Sequence, residues 1–347
     1  MKKTALPDKA NFPVVTVVMP VYNEARFIEG TLRQLLTQEY PADRLEIIVV
    51  DGMSQDATRE IVQRMAREHS QIKLLENPKK RSSAGRNIGF KAGSGEYFVV
   101  IDGHCFLPNN QLIRNIADCF EKSGADCLGR PQPLDPPGLT DFQKAVALAR
   151  ASRIGHGGDS FIYSDYEGFV SPTSNGAAYR RNVFEKVGYV DETFDACEDV
   201  EFNYRVEKAG LTCYTAPSLA VQYYPRESLS ALFRQLCRYG QGRRRFVRKH
   251  PEALTFNQLV PLFFVLGLAA IIMVFVGVFI TDTANVLAGV FIFPYLLYAG
   301  LILYFSADIS VRNGWQYKFI LPLIFFGIHF SLGWGFLKEI FIFRDFE

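Results

Sequence analysis

Residues 259–280 and 284–305 are two runs of 22 residues without a charged side chain, and 319–337 is a third, carrying His329. A helix of about 20 apolar residues crosses roughly 30 Å of hydrocarbon, so each run is long enough to span a bilayer. From residue 253 onward the charges are Arg312, Lys318, Lys338 and Arg344 against Asp282, Asp308, Glu339, Asp345 and Glu347. That is too few for the surface of a soluble domain, so the overall charge of +2 averages two parts that dissolve in different media. The remaining residues hold most of the charge and can bury one α/β core. Disorder, collagen-like repeats and a wholly soluble protein are excluded on these grounds. The expected division is a domain at 1–250 followed by a membrane region at 251–347.

Orientation follows from the basic residues. The run 243–250 (Arg-Arg-Arg-Phe-Val-Arg-Lys-His) immediately precedes the first apolar segment, and the link 281–283 has no Lys or Arg. The link to the third segment carries Arg312 and Lys318. Positive charge stays on the cytoplasmic side, which puts residues 1–250 in the cytoplasm of a multi-pass protein of the cell membrane. Lys338 and Arg344 after the third segment blur its orientation and leave a re-entrant or interfacial helix open. The basic run suits anionic lipid headgroups better than nucleic acid, and no nucleic-acid partner is expected. Residues 1–12 show no secretory signal. The cysteines at 105, 119, 127, 197, 213 and 237 form no C-x-x-C pair and read as reduced thiols.

The first part alternates strand and helix signals. Residues 14–20, 45–50, 72–75 and 97–101 are short β-branched runs. Between them, 26–38, 57–69 and 83–92 carry helical periodicity, the second with Asp56 as a candidate cap. Such alternation predicts a Rossmann-like, mostly parallel sheet with helices on both faces. Ligands then bind beyond the carboxyl ends of the strands. The polar residues there are Tyr22, Asn23 and Glu24, then Asp51, then Asp102, Gly103 and His104.

Val18-Met19-Pro20-Val21-Tyr22-Asn23-Glu24, Asp51-Gly52-Met53-Ser54-Gln55-Asp56-Ala57-Thr58 and Arg86-Asn87-Ile88-Gly89 resemble, in order, the motifs of family 2 glycosyltransferases. These are inverting enzymes with a nucleotide-sugar-binding fold of GT-A type. The similarity spans roughly residues 12–245. It is closest in kind to the membrane-anchored glucosyltransferases of exopolysaccharide (succinoglycan-type) assembly, which extend lipid-linked sugars. The resemblance implies a UDP-sugar donor, a divalent ion and a lipid-linked saccharide acceptor.

Chemistry gives each residue a reason. The resemblance assigns Asp51 to a base N–H, with Pro20, Tyr22 and Glu24 shaping the same pocket; alone, Asp51-Gly52 would be an ordinary turn. Arg86 near a helix start can face the diphosphate. Diphosphate departure needs positive charge, commonly a cation held by carboxylates. The family's Asp-x-Asp reads Asp102-Gly103-His104 here, so one carboxylate is missing. Either His104 replaces it, favouring Mn2+ over Mg2+, or Asp102 alone anchors the ion and His104 stacks or hydrogen-bonds. Inversion needs one base, and Glu198-Asp199 matches the family's acidic pair; Asp199 is the expected base with Glu198 beside it. Acidic residues also simply suit a first helical turn.

Asn175-Gly176 matches a segment lining the acceptor side. Gln235, Arg238 and Tyr239 resemble a Gln-x-x-Arg-Trp motif, with Arg238 toward the diphosphate and Tyr239 against acceptor sugar. Tyr in place of Trp argues against processive synthesis. The stretch Gly155-His156-Gly157-Gly158-Asp159 fits no nucleotide signature and reads as a loop near the acceptor. The leading expectation is therefore hexose transfer, with glucose favoured, to a lipid-linked saccharide. Transfer to a bare polyprenyl phosphate is the enzymatic alternative, and a non-catalytic nucleotide-sugar sensor is the other.

Overall fold

The structure is a computed structural model, and the residues it describes are 12–156, 161–278 and 284–342. Residues 1–11 of the N-terminal stretch read above as lacking a secretory signal lie outside them, as do residues 157–160 of the glycine-rich loop, the 281–283 link and Arg344. In chain order the first elements are β1 (Val15–Val21), α1 (Ile28–Leu36), β2 (Leu45–Asp51), α2 (Thr58–Glu68), β3 (Ile72–Glu76) and α3 (Ser82–Ala92). Next come β4 (Tyr97–Val100), β5 (Cys105–Phe106), α4 (Leu112–Ser123), β6 (Cys127–Gly129), α5 (Asp141–Ala151), α6 (Arg153–His156) and β7 (Gly168–Val170). After these are α7 (Pro172–Asn175), β8 (Gly176–Arg180), α8 (Arg181–Val187), α9 (Glu198–Lys208), β9 (Cys213–Thr215) and β10 (Gln222–Tyr223). The chain ends with α10 (Leu229–Lys249), α11 (Phe256–Val278), α12 (Ala284–Asn313) and α13 (Ile320–Ile340).

The chain packs as two compact units, Met1–Pro136 with Asp159–Tyr224 and Pro137–Gly158 with Pro225–Glu347. Where the sequence reading divides the chain at 250, packing groups α5, α6 and α10 with the apolar helices instead. The hydrophobic faces of α5 and α10 explain this, because they share one core with α12 and α13.

In the first unit, eight strands form one sheet in the order β3-β2-β1-β4-β8-β6-β9-β7, and β10 pairs with β5. Neighbours among β3, β2, β1 and β4 are parallel. Beyond β4 the sheet is mixed, since β8 runs antiparallel to both β4 and β6, and β7 to β9. The mostly parallel expectation thus holds for the four strands whose connections are helical crossovers. Strand β1 is central and buried on both faces, which its continuous apolar run demands. Val17, Ile47 and Val99 meet Leu32, Leu35, Ile116 and Phe120 on one face; Val18, Phe98 and Val100 meet Phe90, Phe184 and Phe202 on the other. Gly89 brings α3 onto β1, because a Cβ there would fall 2.3 Å from Val18 Cγ1.

The second unit is helical. Ser228 caps α10 by accepting from the Ala231 amide. Leu232 and Leu236 of α10 and Val146 of α5 pack with Ile302, Leu321, Ile324 and Phe325. α11, α12 and α13 are each long and apolar enough to cross a membrane.

Candidate active site

The parallel strands deliver three polar turns to one edge of the sheet. Asp51 ends β2 in register with Val21 of β1. Its buried carboxylate accepts from the Ser54 amide at 3.3 and 3.2 Å, with Arg59 Nη1 4.0 Å away. Asn23 and Met53 take left-handed backbone conformations on facing turns. The Asn23 amide donates to Ser54 Oγ at 2.9 Å, and Asn23 Oδ1 accepts from the Gln55 amide at 2.8 Å. Two strand-end turns are thereby locked together, with Tyr22 left exposed beside Pro20. Asp56 accepts from the Thr58 amide at 3.0 Å, while Thr58 Oγ1 accepts from the Glu24 amide at 2.7 Å.

The third turn follows β4. Gly103 packs closely: a Cβ there would lie 3.1 Å from both Glu24 Cγ and Val21 Cγ1. That close approach brings His104 Nδ1 to 2.8 Å from Glu24 Oε1. Glu24, expected to shape the pocket of the base, is therefore also the carboxylate behind the imidazole. Burial pushes the Asp102 carboxyl up, but the charges of His104, Arg86 and Arg130 and the Tyr223 hydroxyl outweigh it and hold it below the usual range.

The acidic pair comes from another direction. The loop before α9 is fastened to α3. Asn87 Nδ2 donates to Val190 O at 2.8 Å and Glu192 Oε1 at 2.9 Å, and Ser83 Oγ donates to Phe194 O at 2.7 Å. Cys197 then turns through a left-handed conformation into α9, whose first turn presents Glu198, Asp199 and Glu201. Arg86 Nη2 sits 3.3 Å from Glu198 Oε1. Burial works against the Arg86 charge, yet Glu198, Asp199 and Asp102 together outweigh it and hold the guanidinium protonated. For Glu198, burial and the Asp199 charge raise the carboxyl pKa against the pull of Arg86. Asp199 is half-buried, and its Oδ1 accepts from the Val200 amide at 2.9 Å.

Asn175 and Gly176 mark the junction of α7 and β8. Asn203 Nδ2 and Tyr179 Oη donate to Gly176 O at 2.9 and 3.0 Å, and a Cβ on Gly176 would meet Asn203 Oδ1 at 2.7 Å. The Asn175 carbonyl accepts from the Arg130 amide at 2.9 Å.

Two residues here carry no motif. Arg130, just after β6, donates to Val100 O and, through Nη2, to Tyr223 Oη at 2.6 Å. The β10–β5 pairing sets Tyr223 against Cys105, beside the Asp102 turn. No signal in the sequence marked either residue, because the contact with β10 is a tertiary event. Gln235, Arg238 and Tyr239 lie on α10 in the other unit, with Gln235 Nε2 donating to Tyr239 Oη at 3.3 Å.

Buried polar atoms without a protein partner include Arg86 Nε, Arg130 Nε and both side-chain atoms of Asn175. Such atoms are costly unless a ligand or water completes them, and the charges of Arg86 and Arg130 act on the ionised Asp102 carboxylate. Among the described residues no three His, Cys, Asp or Glu side chains cluster as a metal cage. The donor set instead fits a cation held by one or two protein ligands plus diphosphate oxygens, with Asp102 ionised and His104 oriented by a carboxylate.

A family model described as Glycosyl transferase family 2 matches residues 16–188, and one described as Glycosyl transferase family group 2 matches 142–338. The succinoglycan biosynthesis protein ExoA of Rhizobium meliloti (strain 1021) is 34% identical over 71% of this chain and 74% of its own length. A Methanococcus voltae protein is 24% identical over 94% of this chain and 97% of its own. It is named as a dolichyl N-acetyl-alpha-D-glucosaminyl phosphate 3-beta-D-2,3-diacetamido-2,3-dideoxy-beta-D-glucuronosyltransferase. A mannosyltransferase structure from Pyrobaculum calidifontis, solved with GDP-Man and Mn2+, superposes with a TM-score of 0.59 at 20% identity. The match covers 98% of this chain and 91% of that one.

Proposed function

Because the chain belongs to glycosyl transferase family 2, we propose that it transfers a hexose, glucose in the first instance, from a UDP-sugar to a lipid-linked saccharide, with inversion, at the cytoplasmic face of a cell membrane. The observation that carries the reading is the Arg86–Glu198 pair. It draws the start of α9 to an arginine that is electrostatically coupled to Asp102, so an acidic helix start and a strand-end carboxylate act on one cation.

In this reading Asp51 and the turn from Pro20 to Glu24 hold the base and ribose. Asp102 and His104 hold a divalent ion, Mn2+ or Mg2+, which when bound neutralises charge on the departing diphosphate. Arg86 and Arg130 add fixed positive charge beside it. Glu198 is engaged by Arg86 and buried, which leaves Asp199 to take the acceptor hydroxyl proton. Asn175 and Gly176 flank the acceptor side. The acceptor role of Gln235, Arg238 and Tyr239 rests on their motif alone.

A lipid-linked acceptor is supported by the apolar helices, since anchoring catalyst and acceptor to one surface removes most of the search in three dimensions. The name of the Methanococcus voltae relative supports the same acceptor class. Incubating membranes that contain the chain with a panel of labelled nucleotide sugars, then extracting lipid, tests the reading. Label from a UDP-hexose should enter a lipid-linked saccharide. Label only in a monosaccharyl lipid phosphate would select the polyprenyl-phosphate alternative, and no transfer from any donor would reject the enzyme.

A further inference from the structure

Of the three apolar helices, α13 packs unlike the other two. α10 runs beside it in the same direction. Leu229 Cδ1 would meet a Cβ on Gly327, and Phe233 stacks on Phe330 at 6.2 Å. A Cβ on Gly240 would fall 2.1 Å from Leu332 O. Arg245 Nε then reaches Glu339 Oε1 at 2.7 Å, and Arg248 Nη1 reaches Ile342 O at 3.4 Å. Both sets of residue numbers rise together, so the helices share their length side by side. Exposed Arg234 and Arg238 ride on α10. On α5, which packs against the first half of α13 through Ala145, Val146 and Ala149, Lys144 is exposed. If α13 crossed a bilayer, it would carry these cations to hydrocarbon depth, where ionisable side chains are strongly disfavoured.

Away from these contacts, save that of Phe330 with Phe233, α13 presents a single apolar stripe. Phe319, Leu323, Phe326, Trp334 and Phe341 are exposed at helical spacing. Phe330 fills the gap, stacking at 5.6 Å on Phe326 and 6.2 Å on Trp334. Basic residues stand at both ends, Arg312 and Lys318 before the helix and Lys338 and Arg344 after it. A spanning helix would separate those two clusters across the membrane, against the bias of Lys and Arg for one side.

Among the described residues, α11 and α12 lack such a polar backing. They meet as an antiparallel pair, with Phe264 against Tyr298 at 4.6 Å and Gly267 against Tyr295. α13 meets this pair near the start of α11, where a Cβ on Gly333 would fall 1.9 Å from Pro261 O, and along the later part of α12, through Ile302 and Ile309. Those are the two ends that flank the basic residues.

We infer that α13 lies in the plane of the membrane interface, its stripe from Phe319 to Phe341 set into the headgroup–acyl boundary of an anionic leaflet, and that the chain crosses the bilayer twice, through α11 and α12. α13 with the cation-bearing α10 and α5 behind it forms a layer with one apolar face and basic flanks, the arrangement that binds this way. The other face of α13, with Leu321, Ile324, Phe325 and Ile328, is apolar too, and α10 and α5 cover it. The buried Arg245–Glu339 pair pins the far end of α13 to α10.

The arrangement makes a parity prediction independent of the transferase reading. In the full-length chain, a topology reporter fused after Ile342 is expected on the same side of the membrane as one placed ahead of β1. Reporters on opposite sides would mean three crossings and overturn the inference. Depth gives a second measurement. The chain has 2 tryptophans, so Trp315→Phe leaves Trp334 as the only indole. In vesicles containing phosphatidylglycerol, nitroxide lipids labelled near the headgroup should quench Trp334 more than lipids labelled near the chain end. Stronger quenching by the deep label, or none by either, would overturn the interfacial placement.

Discussion

Arg86 Nη2 lies 3.3 Å from Glu198 Oε1, joining the helix after β3 to the first turn of α9 across more than a hundred residues of chain. Neither partner has an ordinary surface role: their side chains are 14% and 9% exposed. Removing one partner of a buried pair leaves the other uncompensated, at about 3–5 kcal/mol. Arg86→Ala is therefore expected to lower the melting temperature markedly and to weaken nucleotide-sugar binding. Arg86→Lys should recover part of the stability and less of the binding, because an ammonium lacks the planar fork. Calorimetric melting and donor titration of both variants check this, and an unchanged melt for Arg86→Ala would contradict the burial argument.

Asp199→Asn removes a proton acceptor while keeping size and most hydrogen bonding. Transfer is expected to fall by about 10²–10⁴-fold with donor affinity intact, the range for loss of a general base. Steady-state rates beside equilibrium nucleotide binding separate the two effects. Retained turnover on a saccharide acceptor would move the base elsewhere. Retained turnover confined to a bare lipid phosphate would instead identify an acceptor that brings its own anionic nucleophile.

The Glu24–His104 contact makes a separate prediction about metal. Outer carboxylates that orient a ligating imidazole typically contribute about 10–100-fold in affinity. Glu24→Gln and His104→Ala are each expected to raise the half-saturating Mn2+ concentration for nucleotide binding by that order. His104→Asp should shift preference toward Mg2+. Manganese titration by electron paramagnetic resonance reads this without turnover; an unchanged midpoint for His104→Ala would take the imidazole out of the ligand set.

Part of the acid sensitivity should reside in Glu46, within the sheet. Burial raises its pKa, but Lys73 at 2.6 Å, the Ser94 amide at 2.8 Å and the Thr16 hydroxyl at 2.7 Å outweigh this and leave it lowered from 4.5. A depressed carboxyl contributes stability above its unfolded pKa and loses it as pH falls through the lower native value. Wild-type stability is expected to decline as pH drops below about 4.5, the ordinary glutamate value. Glu46→Gln should cost about 1–3 kcal/mol at neutral pH and flatten that acid limb. Denaturation midpoints from pH 7 to 3 test the sign.

Gly89→Ala places a methyl where 2.3 Å separates it from Val18 Cγ1. The helix must retreat from β1, and overpacking of this kind costs about 1–3 kcal/mol. Because Asn87 and Ser83 on the same helix hold the loop to α9, activity should fall more than stability alone accounts for. Comparing residual rate with folded fraction distinguishes the two contributions.

How much of this was legible in sequence depended on the range of the interaction involved. The β1, β2 and β4 runs and their polar ends were readable, because local pattern decides burial in a parallel sheet. The mixed half, β6 to β9, was not. Its strands are short, at 3 residues for β6, β7 and β9, and no period separates them from loop. Arg130 and Tyr223 stayed invisible for a similar reason. They meet across 93 residues through a two-stranded pairing that leaves no mark at either position.

The sequence by itself determined that the chain needs two solvents, that an alternating strand and helix unit precedes the apolar helices, and that acidic and strand-end motifs occur in the order of a sugar-transferring family. These follow from hydropathy and spacing, which are properties of neighbours along the chain. Only the tertiary structure decided that Glu24 stands behind His104, that Arg86 is held by Glu198, and that α13 lies with the polar helices α10 and α5. Each depends on groups far apart in sequence, whose free energy of approach is set by what they exclude from water together. An apolar run of 19 residues can cross a bilayer or lie along it. What packs against its other face makes the choice.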